Sequence, residues 1–354
     1  HRDWVLLALA AGFFGLAAGR LIKSLRRGEI AFQTRWSDLA LLAAFAWAVF
    51  GVRRPQSSPD DFLILIHLAA FLACFYLARS LSYADGISLQ LAWGLTFVGG
   101  AVAAFGLIQF ADYAPHDWWE PSRFVASVFV NHNHFASYLE LLLPMTVFLW
   151  LFAPLAPWQR FLTAVSGAVM TSAFVLSCSR GAWLSLATAA VLSFLGFFLF
   201  AEKTHPARRT LVFGFTCVAV LALAVAHEPI RNRLLTLVNV SEDVSAQMRQ
   251  AMWWGTWALI EKSPVIGHGL GTYVHLFPSF RPEGLYRRIN YAHSEYLQVA
   301  AEIGWVGLAL LAMIAILLVF RMSRIALVSR TSWKQALALG GWVGGVSVAI
   351  HSLI

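Results

Sequence analysis

Apolar residues follow one another along this chain in blocks near twenty residues, instead of alternating with polar ones. Ten blocks can be marked: Trp4–Leu21, Leu39–Val52, Phe62–Ala78, Leu89–Phe110, Ala136–Phe152, Phe161–Ser177, Ala182–Ala201, Thr210–Ala226, Leu297–Phe320 and Ala336–Ile354. About twenty apolar residues is the length a helix needs to cross roughly 30 Å of hydrocarbon, whereas a membrane barrel shows segments of about ten alternating residues. The pattern therefore predicts an all-α, polytopic transmembrane helix bundle of about ten spans. The second block is short, so it predicts a tilted span, a span extended by its flanks, or none. Residues 1–226 form the bundle with spans one to eight, 227–296 an external loop, and 297–354 spans nine and ten.

Composition agrees with that pattern and narrows the partners. Charged residues make up only 12% of the chain, against about a quarter in soluble domains. The net charge of +8 is carried by basic residues scattered among loops, which fits membrane anchoring and not a nucleic-acid surface. Cys74, Cys178 and Cys217 sit in or beside apolar blocks with no metal-type spacing and read as small core residues.

Charge also orients the bundle. With ten spans, the connections after blocks one, three, five, seven and nine share a side and hold fourteen basic residues, among them Arg79, Arg160, Lys203, Arg208, Arg209, Arg321, Arg324, Arg330 and Lys334; the short segments opposite hold five. The richer side is expected in the cytoplasm, which puts loop 227–296 outside. His1 then lies outside as well, and a start without Met and an end inside an apolar block read as cut, with at least one further helix upstream.

Chemistry is expected where polar residues interrupt this plan. Asn131-His132-Asn133-His134 opens the fifth block; these residues can cap the helix through Asn133 or line a polar cavity, and the two histidines, only two apart and without Cys or Asp, make a poor metal set. Arg180 lies in the turn Ser177–Gly181 between two blocks, either snorkelling to headgroups or facing a cavity or counter-anion. Trp118 and Trp119 mark an interfacial belt. In the long loop, Ser241-Glu242-Asp243 precedes a helix over about 244–262 that sets Arg249 and Trp253 one turn apart and ends before Pro264. Its Trp and Met content suggests a helix lying on the membrane surface. Gly267-His268-Gly269-Leu270-Gly271 lacks the strand and the Gly-Lys-Ser/Thr of a phosphate loop, and reads as a turn permitting close backbone approach. His293 and Ser294 stand at the mouth of the ninth block.

Four of these stretches, in order, resemble the O-antigen ligase and polymerase family of bacterial membrane glycosyltransferases. His293-Ser294, nine residues and Gly304-Trp305-Val306-Gly307 look like its His motif; Arg180-Gly181-Ala182-Trp183-Leu184 is similar to its Arg-x-x-x-Leu; Asn131–Ala136 and Pro264–Thr272 resemble its Asn-x-Asn and Gly-rich motifs. The resemblance covers roughly residues 100–354. Leu308 and Ala309 stand where threonines often follow, so ligase and polymerase stay open.

The resemblance implies a GT-C-like fold and an inverting, metal-independent transfer at the periplasmic face of the bacterial inner membrane, with no cofactor. The donor would be a glycan on a polyprenyl (undecaprenyl) diphosphate, the acceptor a lipid A core, a growing glycan or a protein hydroxyl in lipopolysaccharide or related biosynthesis. Arg180 matches the first diphosphate-binding arginine, Arg249 the second, and His293 the catalytic base. Asn131, Asn133, His134, Ser294, Arg281 and Arg288 are expected to line the cavity. The chemistry suits these residues: arginine neutralises a diphosphate bidentately, and histidine is a base near neutral pH. An anion transporter with Arg180 as selectivity charge is the reading from another class; broken apolar helices and internal repeats would favour it, and no convincing repeat is found.

Overall fold

The computed structural model describes residues 36–52, 59–81, 87–111, 124–200, 244–283 and 289–353. The first and eighth apolar blocks, Trp118 and Trp119, loop 203–209, Ser241–Asp243, Arg287 and Arg288 lie outside the described residues. The described residues form ten α-helices and one 3-10 turn: α1 Trp36–Val52, α2 Pro59–Leu81, α3 Ile87–Phe110, α4 His132–Phe152, α5 Pro157–Leu176, α6 Arg180–Phe200, α7 Val244–Lys262, α8 Tyr273–Leu276, the turn Phe277–Phe280, α9 Glu295–Val328 and α10 Ser332–His351. No strand occurs among them, and the protein is a helical membrane protein. Four helices, α3, α4, α5 and α9, are long and apolar enough to cross a membrane, while α1 and α2 hold shorter apolar stretches. Large apolar side chains such as Phe97, Phe161, Ile316 and Phe320 point outward, an arrangement that lipid, and not water, stabilises.

Helix α4 is the centre of the bundle, packed by α3, α5, α6 and most extensively by α10. Close approach of α10 rests on small residues. A Cβ on Gly340 would lie 2.4 Å from Met145 Cα, and one on Gly344 2.8 Å from the Leu141 carbonyl. This is the small-x-x-x-small spacing by which membrane helices gain van der Waals contact where no hydrophobic drive exists. One apolar core joins α3 to α6 around Phe135, Leu139, Leu142, Met170 and Phe174; a second joins α7, α8 and the start of α9, around Met252, Leu259, Ile260, Tyr273, Phe277, Ala300 and Ala301.

The ninth block was expected as one uninterrupted span, and α9 instead breaks at Gly304, whose φ of 70° and ψ of 179° are non-helical. The broken ladder is repaired by the glycine-rich loop. His268 N–H donates to the Ala301 carbonyl (3.0 Å), Gly269 N–H to Glu302 (2.8 Å) and the Trp47 indole to Ile303 (2.8 Å), while Trp305 and Val306 donate to the carbonyls of Pro264 (2.8 Å) and Val265 (3.3 Å). Irregular backbone at membrane depth survives only where such partners exist. Only glycine fits: a Cβ on Gly304 would sit 2.2 Å from the Val265 oxygen, and one on Gly267 2.4 Å from the Glu302 oxygen. The Glu302 carboxylate completes the junction by accepting from Gly271 N–H (2.8 Å).

Candidate functional site

One end of the bundle gathers the polar interruptions. Helix α4 starts there because Asn131, in extended conformation, accepts from Asn133 N–H at 2.8 Å. The cap is thus Asn131 and not Asn133, since an N-cap side chain must precede the turn whose orphan amides it satisfies. That frees Asn133 to accept from the Ser179 hydroxyl at 2.7 Å, while His132 donates from Nδ1 to the Ser177 carbonyl at 2.8 Å. The Asn/His stretch is therefore stapled to the turn that carries Arg180. Cys178 in that turn has a φ of 52°, and Arg180 emerges from it as the first residue of α6, half-buried.

Helix α7 has the bounds expected, but it docks on α9 and the 3-10 turn instead of lying only on a lipid surface. Met252, Thr256, Leu259 and Ile260 are buried against that second core, with Trp254 and Trp257 outward. The Thr256 hydroxyl meets the Tyr273 phenol at 2.9 Å, and burial keeps that phenol well above its ordinary range, so it stays neutral. By spacing, Arg249 and Trp253 share the inward side with Thr256 and Ile260. Among the described residues the Trp253 indole N–H, fully buried, finds no hydrogen-bond partner.

Loop 289–294 delivers His293 just before α9, with Ser294 buried as the N-cap residue. His293 has a φ of 53°, a left-handed conformation rare for a side chain of its size and typical of strained functional positions. The residue is exposed, yet its pKa is lowered from the ordinary histidine value, first by desolvation against the protein, then by the charge of Arg249, then by His134. The charges of Arg249 and His134 are thus close enough to be felt at His293. Two bonds tie the start of α9 to the end of α10: Glu295 N–H to the Ser352 carbonyl (3.0 Å) and the Tyr296 phenol to the Ala349 carbonyl (2.7 Å). The last residue of α10, His351, in turn abuts Gly181, next to Arg180. The turn carrying Arg180 is thus tied, through neighbouring residues, to the stretches that carry His134 and His293. Arg281, exposed at the end of the 3-10 turn, has no such link to them.

One cluster was not anticipated. Glu140, fully buried within α4, accepts from Ser347 Oγ and from His351 Nδ1, each at 2.6 Å, and Ser137 Oγ lies 2.9 Å from the same nitrogen. A lone carboxylate inside an apolar block was the available signal, because an ionisable residue at that depth needs a partner. Gly340, Gly344, Ser347 and His351 recur at i, i+4, i+7 and i+11 and so form the matching face of α10.

A multi-pass helical membrane protein with arginine and histidine gathered at one end of its bundle is the class that fold and site define. Residues 164–312 match the family model described as O-antigen ligase, a match that supports the O-antigen ligase and polymerase family. The match contains Arg180, Arg249 and His293. No curated protein and no solved structure matches the chain significantly.

Proposed function

We propose that the protein transfers a glycan from a polyprenyl diphosphate carrier to an acceptor hydroxyl, at the bundle end formed by residues 131–134, 177–180, Arg249 and His293. The observation that carries this reading is His293, a histidine kept neutral by partial burial and by a neighbouring arginine. Such an imidazole has a free lone pair at neutral pH beside a cation suited to an anionic leaving group. In the transfer, His293 takes the proton of the acceptor hydroxyl as its oxygen bonds to the anomeric carbon. The bond from that carbon to the carrier phosphate breaks with inversion, and the electron pair leaves on the diphosphate. Arg180 and Arg249 hold that diphosphate and take up the charge it gains.

Orientation follows from the opposite end. Arg79, Arg160, Arg321, Arg324, Arg330 and Lys334 all lie at helix ends remote from the Asn131–Arg180 turn, which supports reading that end as cytoplasmic and the site as periplasmic in a bacterial inner membrane. The acceptor is a lipid A core in the ligase form and a growing glycan in the polymerase form. Reconstitution into liposomes with a polyprenyl diphosphate-linked glycan tests the proposal. Transfer should persist in EDTA, because arginine supplies the neutralising charge. His293→Ala should lose the hundred- to ten-thousand-fold that a general base typically contributes, with donor binding retained. Wild-type transfer by His293→Ala would remove the mechanism. Deleting the gene separates the forms: unlinked chains accumulate without a ligase, single repeat units without a polymerase.

A further inference from the structure

The buried cluster of Ser137, Glu140, Ser347 and His351 does more than the packing of α10 on α4 needs. Glu140 is completely buried and both of its oxygens are engaged, by Ser347 Oγ and by His351 Nδ1 at 2.6 Å each. A carboxylate oxygen can only accept, so Nδ1 carries the proton shared with Glu140, and the other ring nitrogen is left to face whatever lies beyond. What lies beyond is the start of α6. Cδ2 and Nε2 of His351 come within 3.0 and 3.1 Å of where a Cβ of Gly181 would be, beside Arg180. Nε2 makes no hydrogen bond among the described residues, and the side chain keeps 12% of its surface exposed. A clamp would require Nδ1 alone. Here a carboxylate orients an imidazole so that its second nitrogen is presented at the N-terminus of a long helix, where backbone dipoles and Arg180 already favour an anion.

We infer that His351, oriented by Glu140, is a second histidine of the site: as the imidazolium it donates Nδ1–H to Glu140 and Nε2–H to an oxygen of the donor diphosphate beside Arg180. This rests on the glycosyltransferase reading above and adds a ligand group to it. Glu140 is then a positioning residue: it touches no substrate, and it fixes which ring nitrogen faces the anion, as buried carboxylates do for ligating histidines.

The test uses the full chain in detergent or nanodiscs with a short-chain polyprenyl diphosphate as probe, measured by calorimetry. His351→Gln keeps an amide that can pair with Glu140 but lacks the outer nitrogen. It should weaken probe binding roughly ten- to a hundredfold, the range of one hydrogen bond to a charged group, at an unchanged melting temperature. Glu140→Gln should weaken binding less, since it loosens the ring without removing it. A readout on the unmutated protein stands beside these: bound probe should slow carbethoxylation of His351 by diethylpyrocarbonate, followed by mass spectrometry. Undiminished binding by His351→Gln, or unprotected modification of His351, would overturn the inference and leave the cluster as a polar clamp. If the wild type binds no polyprenyl diphosphate, the glycosyltransferase reading falls with it; binding that ignores His351 removes this inference alone.

Discussion

His293 shows how a backbone conformation and two neighbouring charges can set the pH range of a residue. Burial, Arg249 and His134 all lower its pKa, so the acid limb of a transfer–pH profile should lie below the ordinary histidine value of about 6.5. Arg249→Gln removes one of the lowering charges, so the limb should move to higher pH; a limb that stays put would separate Arg249 from His293. The same depression links to folding. The neutral ring is favoured in the native state, so stability is fully present above about pH 6.5 and declines as pH falls through and below it, where the unfolded chain binds the proton more readily. For Arg180 the expectation concerns shape, not charge: Arg180→Lys should lose most activity at equal protein level, because an ammonium cannot reproduce a bidentate fork. Wild-type turnover by both the Lys and Ala variants would reduce Arg180 to a headgroup anchor. Arg180, Arg249 and His293 were singled out in the sequence by polar interruptions and by the resemblance of their motifs, and their roles are proposals. Glu140 and His351 were not legible as a pair, being 211 positions apart and joined only by how α10 packs on α4.

Among the elements, α9 and the loop 264–271 form one joint. Gly304→Ala should cost at least about 1–3 kcal/mol from its backbone conformation alone, and more from the contact with the Val265 oxygen, lowering the melting temperature by several degrees. Gly345 provides the control, because a Cβ there meets nothing within 4 Å; Gly345→Ala, inside a helix, should be neutral or up to about 1 kcal/mol stabilising. Equal melting temperatures for the two variants would argue that the joint contributes nothing. Sequence pattern located α7 to the residue, since acidic residues before it and a proline after it punctuate a long helix. The break in α9 escaped because no proline marks it, and Glu302 and Gly304 are isolated interruptions in a long apolar run. Hydrophobic periodicity runs straight through Gly304, and only the partner loop reveals that the ladder is interrupted.

Across the whole molecule, Asp38 and Arg79 form an ion pair between the start of α1 and the end of α2, while the far end of α1 meets α9 through Trp47 and the glycine-rich loop through Gly51. These two helices therefore run in opposite directions. In a cysteine-free background, Ser279→Cys should react with an impermeant thiol reagent applied to spheroplasts, and Thr331→Cys only after permeabilisation. The reverse labelling would invert the protein in the membrane. The number of spans was less legible than their arrangement. Length and hydropathy single out four helices, while α10 owes its place to a glycine and serine face that lowers its hydropathy as it tightens its packing.

The joint at Gly304 also bears on biogenesis and on protein exchange. Residues 264–271 leave the ribosome before residues 300–307, so the loop must wait outside the membrane until its partner strip arrives. The first half of α9 has carbonyls without partners in lipid until the two meet. Assembly of this end is accordingly a late step, and the two strips behave as a single heritable cassette. Chimaeras that swap the external loop between relatives should mature only when both strips come from the same parent.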